Sequence, residues 1–247
     1  MPDLEEEARS QMPLWQHLDE LRSGVFRSLI AIAVGFAIAY AFIDPIMAFL
    51  EKPLTELLPE GEAHLYYTGL TDKFVVYLKV CVLAGSFFMS PYLLYEFWRF
   101  ISPALYRNER RFLIPFLAFG TVSFGVGLAF AYWVVIPYGY KFLIEFGSPN
   151  ERAIITLTEY FSLTLKLLLA LGIVFEVPVL LVLLGKFGVL DASFLTRNRR
   201  YAAVVSAVVA AVATPSPDAL TMVLVMVPLY LLYEVGIVGV RLVQPAT

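Results

Sequence analysis

Cysteine is nearly missing from this sequence: Cys81 is the single one in 247 residues, which excludes an internal disulfide framework. Histidine is almost as scarce, with only His17 and His64, and no H-E-x-x-H or Cys/His cluster occurs, so a catalytic zinc has no ligand set. Neither histidine lies in an apolar run, which argues against a Ser–His intramembrane protease built around Ser123. No G-x-x-x-x-G-K-[ST] is present, so the chain is not itself an ATP motor. Charge is also thin, 16% of residues, where a soluble domain carries about a quarter. These gaps argue against an enzyme, and no cofactor is expected.

What the sequence has in abundance is apolar side chain: 60% of residues, with a mean hydropathy of +0.76. There is too little polar surface to cover a water-soluble globule of this size. Six apolar segments, residues 25–43, 74–98, 112–136, 161–184, 201–213 and 219–240, hold about half of the chain. Crossing some 30 Å of hydrocarbon takes about 20 helical residues, a length the fifth segment does not reach. The fifth and sixth are parted by Thr214-Pro215-Ser216-Pro217-Asp218, where two prolines stop one helix and Asp218 can cap the next. The acidic residues Glu5, Glu6 and Glu7 before the first segment argue against a cleavable signal peptide.

Placement of Lys and Arg orients the spans. With the N-terminus inside, twelve basic residues fall on the inner side, among them Arg22, Arg27, Arg99, Arg107, Arg110 and Arg111, and four on the outer side. Lys79 and Lys166 lie near outer ends of spans, where they can snorkel. The fold expected is an all-α integral membrane protein of six transmembrane helices, a single domain with both termini cytoplasmic. Residues 1–23 form a cytoplasmic amphipathic segment, and the short last two helices leave one side of the bundle thin. Gly120, Gly125 and Gly127 in the third span are expected at helix-packing positions.

Carboxylates near the bilayer are expensive, so each asks for a reason. Glu96 is three residues from Arg99 and can pair with it at an interface; Glu234 can bond across helices. Glu176 sits about 22 Å from the outer end of its helix, and Pro178 permits a kink beside it. Either it is protonated and bonded to a neighbouring helix, or it is a polar point in a water-filled concavity. At the inner surface, Leu14, Leu18, Leu21 and Val25 make one apolar stripe that leaves Glu20 facing the headgroup level or a neighbouring loop. Glu109 stands among Arg99, Arg107, Arg110 and Arg111, a cluster that it can neutralise locally.

At these residues the sequence resembles the TatC family, the multispanning receptor subunit of the twin-arginine protein translocase. The resemblance runs from about residue 14 to 243. It is carried by His17-Leu18-Asp19-Glu20-Leu21-Arg22, by the segment from Phe100 to Arg111 with its Ser-Pro-Ala-Leu-Tyr and Glu-Arg-Arg, by Phe175-Glu176-Val177-Pro178-Val179, and by Thr214-Pro215 with Pro217-Asp218. It implies a protein of the bacterial inner membrane that binds twin-arginine signal peptides of folded cargo at its cytoplasmic face. Glu20 and Glu109 take the positions that contact the paired arginines, with Phe100 and Arg22 in the same patch. Glu176 matches the family's intramembrane glutamate. Single-span TatA- and TatB-type partners dock around the last two helices, where Thr214 matches a polar position and Met222 or its neighbour replaces a glutamine. Transport is driven by the proton gradient, in a multi-copy complex.

Two rivals stand beside that reading. A proton- or cation-coupled transporter would use Glu96, Glu176 and Glu234, which lie at similar depth, but the spans show no convincing internal repeat and no matched pair of broken helices. A purely structural scaffold would leave Glu20 and Glu109 dispensable.

Overall fold

The computed structural model describes residues 14–58, 64–101, 113–146, 154–214 and 219–244, and the regular structure among them is helical apart from one isolated bridge. Helix α1, Leu14–Ala41, joins the amphipathic segment to the first span without a break, since no proline falls between residues 14 and 44. Helix α2, Ile43–Thr55, follows on the far side. The second apolar segment is not straight: α3, Asp72–Phe88, and α4, Ser90–Ile101, meet at 66°. Pro91 has no N–H for the carbonyl of Phe87, so the helix turns there, and the N–H groups of Tyr92 and Leu93 both reach back to Met89.

The third segment runs past its expected end at residue 136. Helix α5, Leu113–Phe130, passes through a π turn, Ala131–Val135, into α6, Ile136–Glu145. Pro137 explains the wide turn, because its ring crowds the carbonyl of Trp133 and the Ile136 N–H instead bonds Ala131. The fourth segment breaks where Pro178 predicts, into α7, Leu157–Val174, and α8, Val177–Lys186. A short α9, Ala192–Arg197, leads to α10, Arg199–Ala213, and α11, Ala219–Val243. Residues 21–41, 114–145, 157–186 and 221–243 are long and apolar enough to cross a bilayer, and α3 with α4 adds a fifth crossing if the bent pair acts as one.

Helix α7 is the centre. Its Tyr160, Phe161, Leu165, Leu168 and Leu171 are buried against α2, α3, the π turn and α6, joined by Ala210, Val225 and Leu229 of the last two helices. Polar groups fix α2 onto this core. Pro53 leaves the Phe49 carbonyl without its helical donor, and the Tyr132 hydroxyl supplies one at 2.6 Å. The Tyr160 hydroxyl donates to the Leu50 carbonyl, and Tyr140 donates to the Tyr160 carbonyl at 3.0 Å. On the same side, Tyr66 and Thr156 form the isolated bridge, with the Leu157 N–H on the Tyr66 carbonyl at 2.7 Å. Thr156 then caps α7, accepting from the Glu159 N–H.

Helices α1 and α3 touch backbone to backbone. A Cβ placed on Gly85 would lie 2.5 Å from the carbonyl carbon of Gly35, so neither position admits a side chain. Gly127 packs equally tightly, 2.7 Å from Cβ to the Leu171 carbonyl oxygen, and Gly120 faces Glu176. Gly125 does not serve packing as expected: among the described residues nothing on another element lies within 4 Å of a Cβ placed there, and it lines an apolar cavity instead.

Candidate functional site

The three acids of the spans meet three different surroundings. Glu96 is buried on α4, yet its main partner is not Arg99, the neighbour in sequence. Arg27 of α1 places its Nε and one terminal nitrogen on the two carboxylate oxygens, each at 2.8 Å. Tyr92, one turn back on α4, donates to the same carboxylate at 3.1 Å, and Arg99 stands at 3.9 Å. Ser23 accepts from the remaining terminal nitrogen of Arg27. A planar fork on a carboxylate is the strongest geometry this pair of groups can make. Helical periodicity showed the i,i+3 neighbour and had no means of showing which side chain faces α4 from another helix.

Glu234 is bonded across helices, as one of its readings expects. Arg199 of α10 donates to it at 2.7 Å and Tyr230 at 3.1 Å. Next to it the Tyr233 hydroxyl donates to the Leu195 carbonyl, which ties α9 to α11.

Glu176 is the exception. It occupies the break between α7 and α8 and is 7% exposed, and neither carboxyl oxygen has a hydrogen-bond partner among the described residues. A Cβ on Gly120 of α5 would lie 3.1 Å from one of the Glu176 carboxyl oxygens and 3.7 Å from Leu94 of α4. The expected bond to a neighbouring helix is therefore not made among those residues. The break itself is held by Ser123, whose hydroxyl donates to the Phe175 carbonyl at 2.5 Å. Burying a polar group without a partner costs about 1–3 kcal/mol.

The apolar cavity lies apart from Glu176. It measures about 450 Å³ and is walled by Phe49, Phe88, Gly125, Tyr132, Trp133 and Leu168 among others.

The expected surface patch is described in part. Position 20 lies in the first turns of α1 and position 100 in the last turn of α4; Arg22 is exposed. Glu109 lies outside the described residues. Thr214 ends α10, half-buried, with its N–H on the Ala210 carbonyl at 2.8 Å. Met222 packs against the main core, and beside it Thr221 is fully buried. Lys79 and Lys166 are exposed on their helices, as snorkelling requires.

Sequence reading missed the Arg27–Glu96 fork and the Gly35–Gly85 crossing. The signal for the crossing was present, since both glycines fall in apolar runs, but the third span holds its glycines closer together and outweighed them.

Fold and buried acids together define a polytopic, all-helical membrane protein. The family model for the Sec-independent protein translocase protein (TatC) matches residues 16–228. The chain is 42% identical to the Sec-independent protein translocase protein TatC of Desulforapulum autotrophicum, over 93% of this chain and 84% of that one. It is 39% identical to that of Aquifex aeolicus, covering 92% and 93% respectively. A crystal structure described as the twin arginine translocase receptor TatC superposes with a TM-score of 0.77 at 37% identity, over 93% of this chain and all of the other. The chain belongs to the TatC family, a family of protein-transport components.

Proposed function

We propose that this protein is the receptor of a twin-arginine translocase, a single transmembrane domain of six spans in the bacterial inner membrane with both termini cytoplasmic. In this reading α10 is the short fifth span, and Glu20 and Glu109 accept the two arginines of a signal peptide, with Phe100 and Arg22 beside them. Guanidinium and ammonium carry the same charge, so preference for Arg-Arg over Lys-Lys comes from the planar donor fork that a carboxylate accepts. The basic residues around Glu109 repel a generic cationic segment, so both forks must be placed to gain entry.

The observation that carries the reading is the meeting of α1 and α4. A Cβ on Gly24 would lie 3.7 Å from Glu96 Oε2, and positions 20 and 100 are each one turn beyond that contact, towards the same end of the pair. Glu176 serves partner assembly or a later step, consistent with a carboxyl that has no partner among the described residues. TatA- and TatB-type single-span proteins dock near Thr214 and Met222, and the energy is the proton gradient.

The test is binding of a fluorescent Arg-Arg signal peptide to the purified protein, beside its Lys-Lys twin, repeated on Glu20→Gln and Glu109→Gln. The expected result is tight Arg-Arg binding that weakens at least tenfold with the twin and with either variant. Unchanged Arg-Arg binding in both variants overturns the assignment of the two carboxylates.

A further inference from the structure

The Arg27–Glu96 fork is not part of the signal site assigned above, and it is not needed to neutralise an interfacial charge, because Arg99 is already at hand. Its position explains more. The bent unit of α3 and α4 packs along α1, with Gly85 on Gly35 in its first half and Glu96 on Gly24 with Arg27 in its second. Eleven residues separate the two contacts on each side, 24 to 35 on α1 and 85 to 96 on the bent unit. Eleven residues are about three helical turns, so both contacts on α1 use one face. The antiparallel register thus carries across the 66° bend at Met89. The inner contact lies where α4 meets α1 again after the chain has turned.

The two contacts differ in kind. At Gly35–Gly85 the backbones meet with no side chain between them, which leaves no play. At the inner contact the joint is a charged fork with a tyrosine hydroxyl and a serine on its rim. One turn further out on each helix come positions 20 and 100 of the recognition patch.

We propose that Arg27 and Glu96 form a positioning clamp that sets the separation of the inner ends of α1 and α4, and so the separation of positions 20 and 100 of the recognition patch. The proposal rests on the receptor reading above. Exposure decides between positioning and direct contact: the Glu96 side chain is 4% exposed and has both oxygens held by Arg27, which is 34% exposed. A signal guanidinium cannot reach Glu96 without first displacing Arg27. Arg27 and Glu96 are therefore positioning residues, and they act through geometry.

The test uses the full chain in nanodiscs, with the variants E96Q, R27Q and the double R27Q/E96Q. In the double variant the two amides can bond each other and close the joint again without charge. Two readouts are taken. The first is affinity for the Arg-Arg peptide and its Lys-Lys twin. The second is the distance between spin labels at D19C and F97C, both exposed positions, with Cys81 replaced by alanine. The clamp predicts a broadened, longer label distance in E96Q and R27Q, and a tenfold or greater loss of Arg-Arg affinity that brings it towards the Lys-Lys value. It predicts recovery of both in the double variant. If E96Q fails to fold, R27Q carries the same expectation.

A lower melting temperature with unchanged label distance and unchanged Arg-Arg affinity overturns the clamp, since the pair would then be structural only. Loss of affinity in the single and double variants alike, with label distances unchanged, also overturns it, because Glu96 would then touch the signal itself. Equal Arg-Arg and Lys-Lys binding by the unaltered protein defeats the receptor reading instead. In that case the label distances still judge the clamp: broadening in the single variants that the double reverses supports it, and no change refutes it.

Discussion

Single atoms decide a good deal in this molecule. The contact of Gly35 with Gly85 leaves no room for a methyl group, so Gly85→Val should force α1 from α3 and lower stability by about 1–3 kcal/mol, the usual range for overpacking. Gly125→Ala, with open space before it, should leave the thermal melt in detergent unchanged and serves as the control. Glu176 predicts the opposite sign. Replacing its buried carboxyl, which has no partner among the described residues, with leucine should raise stability by about 1–2 kcal/mol, read as a higher melting temperature, while export in cells falls. Glu234→Gln should move stability by about 1 kcal/mol or less, because the Arg199 partner is 45% exposed and solvent weakens the pair.

Helices here are shaped by prolines whose effects are absorbed by side chains elsewhere. Pro53, Pro91, Pro137 and Pro178 each remove a backbone donor, and the chain answers with a tyrosine bond, a bend, a π turn and a break. The answer at Pro53 can be tested by a double-mutant cycle. Tyr132→Phe should destabilise by about 1–3 kcal/mol by orphaning the Phe49 carbonyl. In a Pro53→Ala background the same change should cost clearly less, since alanine restores the helical N–H. Equal costs in both backgrounds would mean that the hydroxyl matters for another reason. The break at Pro178 was legible in the sequence because a missing N–H acts on its own helix. The 66° bend was not, although Pro91 was in plain view: a proline says that a helix is interrupted, while the angle depends on what receives the next segment, here α1 and α5.

On the scale of the whole molecule, the feature to test is the thin side. Helix α10 has fifteen residues, about 22 Å of helix against some 30 Å of hydrocarbon. As a span it should favour a thin bilayer, so unfolding in nanodiscs of short-chain phosphatidylcholine should need more heat than in long-chain ones. Insensitivity to chain length would argue that α10 does not cross. The motif positions behind the receptor reading were legible because they are local strings, such as the segment around Glu20 and that around Glu176. That positions 20 and 100 lie towards the same end of α1 and α4 was not, because it depends on where the two helices return to one another.

The sequence by itself determined that this is a helical membrane protein, that Pro178 interrupts one of its helices, and to which family it belongs. Apolar length, proline and charge placement act within a few residues of themselves, so a linear reading reaches them. Only the tertiary structure decided that Arg27, and not Arg99, takes the Glu96 carboxylate, that Gly35 meets Gly85, and that Glu176 is left without a partner among the described residues. Those outcomes depend on which face of one helix meets which face of another. A hydrogen bond or a close backbone contact is made over about 3 Å, a distance set by packing and not by separation along the chain.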